Sequence, residues 1–494
     1  MGNEIYPEYR QLYLLPPSLE DFVPEDHPAR FIREFVDSLD LSKLGFKVRE
    51  EEVGRPNYSA NLLLKVLLYG YFKKIRSFRK LEEVVRDHFA AAWLTGLNYP
   101  DHNTLWRFFR DNRDVIKKVF KESVRVAYRC NLLGMVVNAV DGTKVAADVS
   151  KDRAIHREDL EEILKHLEEV ADEIFGEMEA AESGHEDGMD YRLSDELKDP
   201  AKLRRFIKEN LRGFYKEEVK DLSELKRFAE DSLKKLDEEG RSHLSLTDGD
   251  ARMIKSNGKV EFAYNSQVVV DDKEGMIVAA DVTNKEADNH ELVNMLDEVK
   301  ENVGEVADYS VADAGYFSGE ELKKAEDRGY NVVVSIEDKS WVDDGSELHR
   351  MRFVYDEKRD VWRCPKGEVL EYTGKVRNKE GVEYKIYKCK HFKRCKHRDK
   401  CSKGRSGRHF LVSQYHDVIL KQVNKQKDPY VKRLLSKRKG IVEPVFGIIK
   451  DVLGFRRWSF RGLEKVKAQW YLICTVFNLK KMYKWWLEGL VQLA

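Results

Sequence analysis

Along the first 130 residues apolar side chains recur at three- and four-residue spacing, and beyond that point the period changes. The spacing predicts helices over Asn61 to Ile75 and over Ser77 to Leu94, with Ser77 as an N-cap and Glu82 and Glu83 a little further on. The segment Pro100-Asp101-His102-Asn103-Thr104-Leu105-Trp106 follows a turn and opens another helix, which carries Arg107 and Arg110. Short, mostly apolar runs then take over at Met135 to Val140 and Lys144 to Val149, and these read as buried strands. From about Ile155 to Leu236 the chain is a polar helical block rich in Glu, Lys, Arg and Leu, broken by Gly184, Gly188 and Pro200.

Strand patterning resumes at Phe262 to Val270 and Met276 to Val282, joined by the turn Asp271-Asp272-Lys273-Glu274-Gly275 as a hairpin. A helix from His290 to Asn302, a strand from Tyr309 to Ala312, a helix from Gly319 to Arg328 and a strand from Asn331 to Ile336 follow. Strands that alternate with helices in this way predict a mixed α/β sheet. Four further short strands are expected at Met351 to Tyr355, Val369 to Tyr372, Tyr384 to Tyr387 and His409 to Val412. The pattern thus divides the chain into a helical segment 1–130, a first core part 131–154, a helical insertion 155–243, a second core part 244–338, a β-rich insertion 339–415 and C-terminal helices 416–494.

Candidate chemistry sits at three acidic residues, each in a short distinctive context. Asp141 lies in Val-Val-Asn-Ala-Val-Asp-Gly-Thr-Lys-Val, Asp313 in Tyr-Ser-Val-Ala-Asp-Ala-Gly-Tyr-Phe-Ser, and Glu443 in Lys-Gly-Ile-Val-Glu-Pro-Val-Phe-Gly-Ile-Ile-Lys. Each Asp is expected to end its strand, at the rim where open α/β sheets place their chemistry. Carboxylates brought together there form a hard oxygen site suited to Mg²⁺ or Mn²⁺. Paired ions of that kind clamp the attacking and leaving oxygens of a phosphodiester transfer. Asp248, Asp250 and Asp271, at loop or strand ends, are read as structural or substrate-contact residues.

The Asp-Gly-Thr, Ala-Asp-Ala-Gly-Tyr and Val-Glu-Pro-Val-Phe-Gly contexts resemble the DDE transposases of bacterial insertion sequences, from about Tyr9 to about Leu479. Their order fits, with 172 positions from Asp141 to Asp313 and 130 from Asp313 to Glu443. The resemblance implies an RNase H-like core and a transposase that cuts DNA at its element's ends and joins them to a target. It implies two ions, with Asp141 bridging both, Asp313 holding one and Glu443 the other. It also implies double-stranded DNA as partner, both terminal inverted repeats and target, with a homodimer formed on the DNA. Lys450 stands at the family's Lys position after the Glu. Upstream the chain departs from the family, because Ser436 and Lys439 occupy the Tyr and Arg spacings and Arg438 is one position away. Two alternatives stay open: an RNase H-like nuclease without strand transfer, and a transposase-derived DNA-binding regulator. For the first 130 residues, the pattern allows either a helix-turn-helix reader or an all-α packing domain. The resemblance, through Leu-Thr-Gly followed by Pro-Asp-His, favours the DNA-binding reading.

Charge supports a polyanion partner despite a formal net charge of zero. Glu158 to Asp190 holds fourteen acidic residues and one Lys, whereas Lys388 to Lys467 holds 24 Lys and Arg against six acids. Arg438, Lys439, Lys450, Arg456, Arg457 and Arg461 in the basic stretch, with Arg107 and Arg110, are the candidate DNA contacts; Trp458 reads as an aromatic contact or as core. The acidic stretch reads as a solvated face, or as a shield for the basic site. No apolar run reaches the ~18 residues of a membrane span, and the N-terminus lacks a signal-peptide pattern. The chain therefore reads as cytoplasmic, in a bacterium or archaeon and at the nucleoid, with no membrane role. Four of the six Cys cluster at Cys364, Cys389, Cys395 and Cys401. Structural Zn²⁺, reduced thiols and disulfides remain open for them, with His391 and His397 as substitute ligands or exposed polar residues.

Overall fold

Four of the described N-terminal helices begin where a side-chain oxygen, that of Asp40, Ser59, Ser77 or Asp101, accepts an otherwise unpaired first-turn amide. The computed structural model describes residues 18–47, 57–149, 154–167, 219–379 and 381–493, apart from single positions and short gaps within those stretches. Helix α1 (Pro28–Asp37) starts with a proline in its first turn, and α2 (Leu41–Leu44) is one short turn. Ser59 caps α3 (Ala60–Phe72), and Ser77 caps α4 (Phe78–Asp87) through the Lys80 amide. The run expected to continue to Leu94 breaks at His88, whose backbone is extended, so that α5 (Phe89–Leu94) is separate. Asp101 caps α6 (His102–Asp111), its carboxylate accepting the Thr104 N–H at 2.6 Å, and α7 (Arg113–Arg129) follows.

The sheet is built from β1 (Val137–Ala146), β4 (Arg252–Ser256), β5 (Lys259–Asp271), β6 (Ile277–Thr283), β7 (Tyr309–Ala312) and β8 (Val332–Val334). Its order runs β4-β5-β1-β7-β8, with β6 also paired to β5. β1 is antiparallel to β5 and parallel to β7, and β7 is parallel to β8. Parallel neighbours need crossovers, here α9 (Leu292–Val303) before β7 and α10 (Gly319–Asp327) before β8. Strand, hairpin, helix, strand, helix, strand is the order expected of an RNase H-like core, and the chain has this mixed α/β fold.

Helix α13 (Leu463–Leu487) is buried on nearly all sides along its middle, as a helix inside a core should be. Its Trp470 indole donates to the Gln267 carbonyl of β5 at 3.1 Å. The N-terminal helices share this core: one continuous apolar cluster runs from Phe31 and Leu68 to Val269 and Phe477. Phe109 of α6 stacks on Phe460, ring centroids 4.6 Å apart. The change of period near residue 130 therefore marks a change of element type within a shared core.

Two insertions leave the sheet. β2 (Ala154–His156) pairs with β3 (His243–Ser245) at the base of the first, and α8 (Val219–Glu238) returns to it. Most of the acidic stretch, with Gly184, Gly188 and Pro200, lies outside the described residues. The second insertion is an antiparallel sheet of β9 (Val354–Asp356), β10 (Val361–Arg363), β11 (Val369–Lys379), β12 (Val382–Cys389) and β13 (His409–Ser413), with its own core around Trp362, Leu370 and Phe410. Helices α11 (His416–Lys425) and α12 (Pro429–Gly447) then lead back to the sheet. Among the described residues no helix is long and apolar enough to cross a membrane.

Candidate active site

The site begins with a difference in strand length. Asp313 directly follows β7, as expected, but Asp141 lies in the middle of β1 and not at its end. β5 continues to pair with β1 as far as Ala146, whereas β7 stops at Ala312, opposite Val140. Asp141 therefore stands where β1 loses its neighbour on one side, and Asp313 stands beside it. Neighbouring strands lie about 4.8 Å apart, and in parallel register both side chains take the same face.

Each aspartate has one oxygen fixed locally. Asp141 Oδ1 accepts the Gly142 N–H and Asp313 Oδ1 accepts the Gly315 N–H, both at 2.9 Å. The other oxygens meet one guanidinium: Arg438 Nη1 is 2.8 Å from Asp141 Oδ2, and Nη2 is 3.7 Å from Asp313 Oδ2. The 2.8 Å contact is an ion pair without good hydrogen-bond alignment, since Nη1 has no hydrogen-bond partner. Burial pushes the Asp141 carboxyl above its ordinary range, against the pull of Arg438 and with a further push from Asp313.

Arg438 reaches the pair because α12 turns the stripe Val431, Leu434, Arg438, Val442 and Val445 inward. The expectation of Arg438 as a DNA-phosphate contact is corrected: it is only 7% exposed and already paired. Glu443 is five residues further on, about 7.5 Å along the axis and about 140° around it at α-helical pitch. It is exposed, with no hydrogen bond or ion pair among the described residues. The structure thus brings Asp141 and Asp313 together and leaves Glu443 on the outer flank of α12. Accordingly, no three Cys, His, Asp or Glu side chains among the described residues stand close enough to hold an ion.

On an unbroken α-helix Lys450, seven residues after Glu443, would share its face. Instead Ile448–Val452 forms a π turn after Pro444, whose ring removes a helical donor. The wider turn swings Lys450 back toward the sheet, and its ammonium lies 2.5 Å from Thr143 Oγ1 on β1. Burial lowers the Lys450 pKa, and Arg456 lowers it further.

The remaining basic candidates form a surface next to this site. Lys439 and Arg457 are exposed, Arg456 pairs with Asp451, and Arg461 pairs with Asp148 at 3.1 Å. Trp458 is core: it is 2% exposed and its indole donates to the Val145 carbonyl. Arg107 and Arg110 are exposed on α6, Arg110 beside Asp111. Trp106 and Phe109 of that helix stack on Phe460, which joins the two basic sets.

The other aspartates are structural. Asp248 accepts the buried Tyr264 hydroxyl and the Gly462 N–H, and Asp250 accepts the Leu463 N–H, so together they hold the start of α13. Asp271 accepts the Gly134 and Met135 amides ahead of β1. Sequence reasoning missed Asp288, Asn265 and Gln267, which converge beside Gly142. The available signal was Asn265-Ser266-Gln267, a polar triplet inside an otherwise apolar strand, which must find partners when buried.

In the β-rich insertion, Cys364, Cys389, Cys395 and Cys401 line one small cavity with His397. Backbone N–H groups two residues on point at three of the sulfurs: Lys366 at Cys364 (3.2 Å), His397 at Cys395 (3.4 Å) and His391 at Cys389. All four thiols are free, and they surround a common space without closing to ligand distances. His391 is exposed beside Glu368.

Comparison with known families meets this geometry at both ends of the chain. A family described as a transposase domain matches residues 17–111, the helices from α1 to α6. A family described as a transposase DDE domain matches residues 363–483, which include Arg438, Glu443, Lys450 and most of α13. The segment bearing Asp141 and Asp313 lies between the two matches. No curated protein matches the chain. The two family matches, at the ends of a chain whose RNase H-like sheet sets two aspartates side by side, support a DDE transposase of an insertion sequence.

Proposed function

We propose that this chain cleaves DNA at the ends of an insertion sequence and joins the freed 3′ ends to target DNA, with Asp141 and Asp313 as paired ligands for Mg²⁺ or Mn²⁺ and Glu443 as the third. The observation that carries this reading is the Asp141–Asp313 pair, two carboxylates facing one cation position on adjacent strands. That position accepts a positive group, which Arg438 already supplies, and its donor set is hard oxygen. Divalent ions held there would neutralise charge as an anionic oxygen attacks a phosphodiester and another leaves.

The chain's own residues do the positioning. The Gly142 and Gly315 amides fix one oxygen of each aspartate, which leaves the second of each free to face the cation. Arg438 offsets one of the pair's two negative charges, so a divalent ion and the guanidinium would compete for the same oxygens. Glu443, five residues after Arg438 and on the outer flank of α12, would complete the set if α12 turned that flank toward the pair. Lys450, held against Thr143, is set to take a DNA phosphate beside Asp141. The exposed Lys439, Arg456, Arg457 and Arg461 continue a basic track toward Arg107 and Arg110 on α6.

Cleavage of a duplex bearing the element's own terminal sequence tests this. Asp141→Asn, Asp313→Asn and Glu443→Gln should each abolish nicking in Mn²⁺ while DNA affinity persists. A pre-cut end should be joined to a second duplex by the unmodified protein. Nicking without joining would leave a hydrolytic nuclease, and full activity in Glu443→Gln would remove Glu443 from the site.

A further inference from the structure

Behind the aspartate pair lies a third carboxylate, Asp288, in the loop between β6 and α9. Gly142 pairs with Gln267 and Lys144 with Asn265 across β1 and β5, so these four residues share the sheet face opposite the Asp141 side chain. Asp288 sits on that face. Its Oδ1 accepts Asn265 Nδ2 at 2.6 Å and Gln267 Nε2 at 2.7 Å, and Lys144 Nζ lies 3.2 and 3.3 Å from its two oxygens. Asn265 and Gln267 are fully buried. The Gln267 side-chain amide oxygen Oε1 accepts the hydroxyl of Tyr316, a fully buried residue three positions after Asp313.

The same carboxylate crowds Gly142 and lies in ordinary contact distance of Gly315, the two glycines that follow the aspartates. A β-carbon on Gly142 would come 3.1 Å from Asp288 Oδ1 and 2.5 Å from Gln267 Nε2, and one on Gly315 would come 3.6 Å from Asp288 Oδ2. These are the glycines whose amides hold Asp141 and Asp313. The Gly of Asp-Gly-Thr therefore has a steric cause, since a side chain at 142 would displace the Asp288 network.

We infer that Asp288 is a positioning residue for the metal-holding pair: it ties β1, β5 and the turn after β7 into one hydrogen-bonded unit and so sets the separation of Asp141 and Asp313. This rests on the reading of those two aspartates as metal ligands. Asp288 does not itself face the cation position, because three donors already engage it. A carboxylate of this kind acts on the ion through the ligands' geometry, as partners of ligands do in metal sites generally.

The test measures Mn²⁺ binding to the full-length protein by the electron paramagnetic resonance of free Mn²⁺, without DNA and without turnover. Asp288→Asn should raise the Mn²⁺ dissociation constant by up to about 10-fold, the low end of the range for loss of a ligand's direct partner, because Asp288 acts through Asn265, Gln267 and Lys144, with DNA affinity unchanged. Lys144→Gln, which removes the ion pair but keeps a donor, should shift it in the same direction by less. It also serves if Asp288→Asn does not fold. Asp141→Asn is the reference. If it abolishes binding while neither Asp288→Asn nor Lys144→Gln moves the constant, Asp288 is structural only and the inference falls. If Asp141→Asn leaves binding intact, the metal reading of the pair fails, and the inference with it.

Discussion

Replacing Arg438 by Met tests whether the aspartate pair is an electrostatically loaded cation site. The guanidinium is 7% exposed and the side chain of Asp141 18%, so its loss leaves two carboxylates facing each other with little water between them. At about 5 Å and an effective dielectric constant of about 20, their repulsion is about 3 kcal/mol. The Asp313 side chain is 41% exposed, and its screening brings the expected loss nearer to about 2 kcal/mol. Urea unfolding in a chelating buffer at neutral pH should register that loss. A divalent ion at 100 times its dissociation constant returns about 2.7 kcal/mol, so millimolar Mn²⁺ should restore the variant. The native protein, where Arg438 already offsets one of the two charges, should gain less. Acid should also restore it, because Asp141 is held above its ordinary range: an acid with a raised folded-state pKa loses stability as pH rises from its unfolded-state pKa to its folded-state one, and carries no penalty below the former. A variant whose stability loss is the same with Mn²⁺, with chelator and at acid pH would refute the shared cation site.

Glu298 of α9 is pushed up to about 7 by burial, against Lys117 at 3.1 Å. Its charged form therefore opposes folding, so stability falls as pH rises from about 4.5 to about 7. Glu298→Gln should melt higher than the native protein at about pH 8 but not at about pH 4, by at most about 3 kcal/mol. An equal difference at both pH values would sink this. Removing charge at Arg456, Arg457 and Arg461 should weaken binding to any duplex and flatten its salt dependence. Arg457 should contribute most, because the other two are already paired. Changes at Arg107 and Arg110 should instead reduce discrimination for the terminal sequence. If both sets altered only stability, the basic surface is not the DNA path. Metal analysis of protein purified under reducing conditions should find about one zinc per chain, lost when Cys364 and Cys395 become Ser. Zinc-free protein with four reactive thiols would leave the cysteines as packing residues.

Local pattern was enough to specify most of the elements and the family. Ser77 and Asp101 cap helices because their side chains reach amides within the same turn, so neighbouring residues decide it. The apolar runs into Val140 and Ala312 are strands because they are buried on both faces. The motifs around Asp141, Asp313 and Glu443 resemble those of DDE transposases, and the family matches at both ends of the chain support that resemblance. What the sequence could not determine depends on how long each strand stays paired and how each helix turns. Asp141 lies mid-strand because β5 outruns β7, and the length of strand pairing is set between residues as distant in the chain as Asn138 and Asp271. Arg438 is a buried counter-ion, and Lys450 turns toward Thr143 through a π turn that a uniform helical period does not contain. Asp288 was invisible for the same reason. A carboxylate in a polar loop resembles any solvated acid until the sheet brings Asn265, Gln267 and Lys144 against it. Spacing along a chain encodes which face a residue takes within its own element, and only packing of one element on another decides which charges meet.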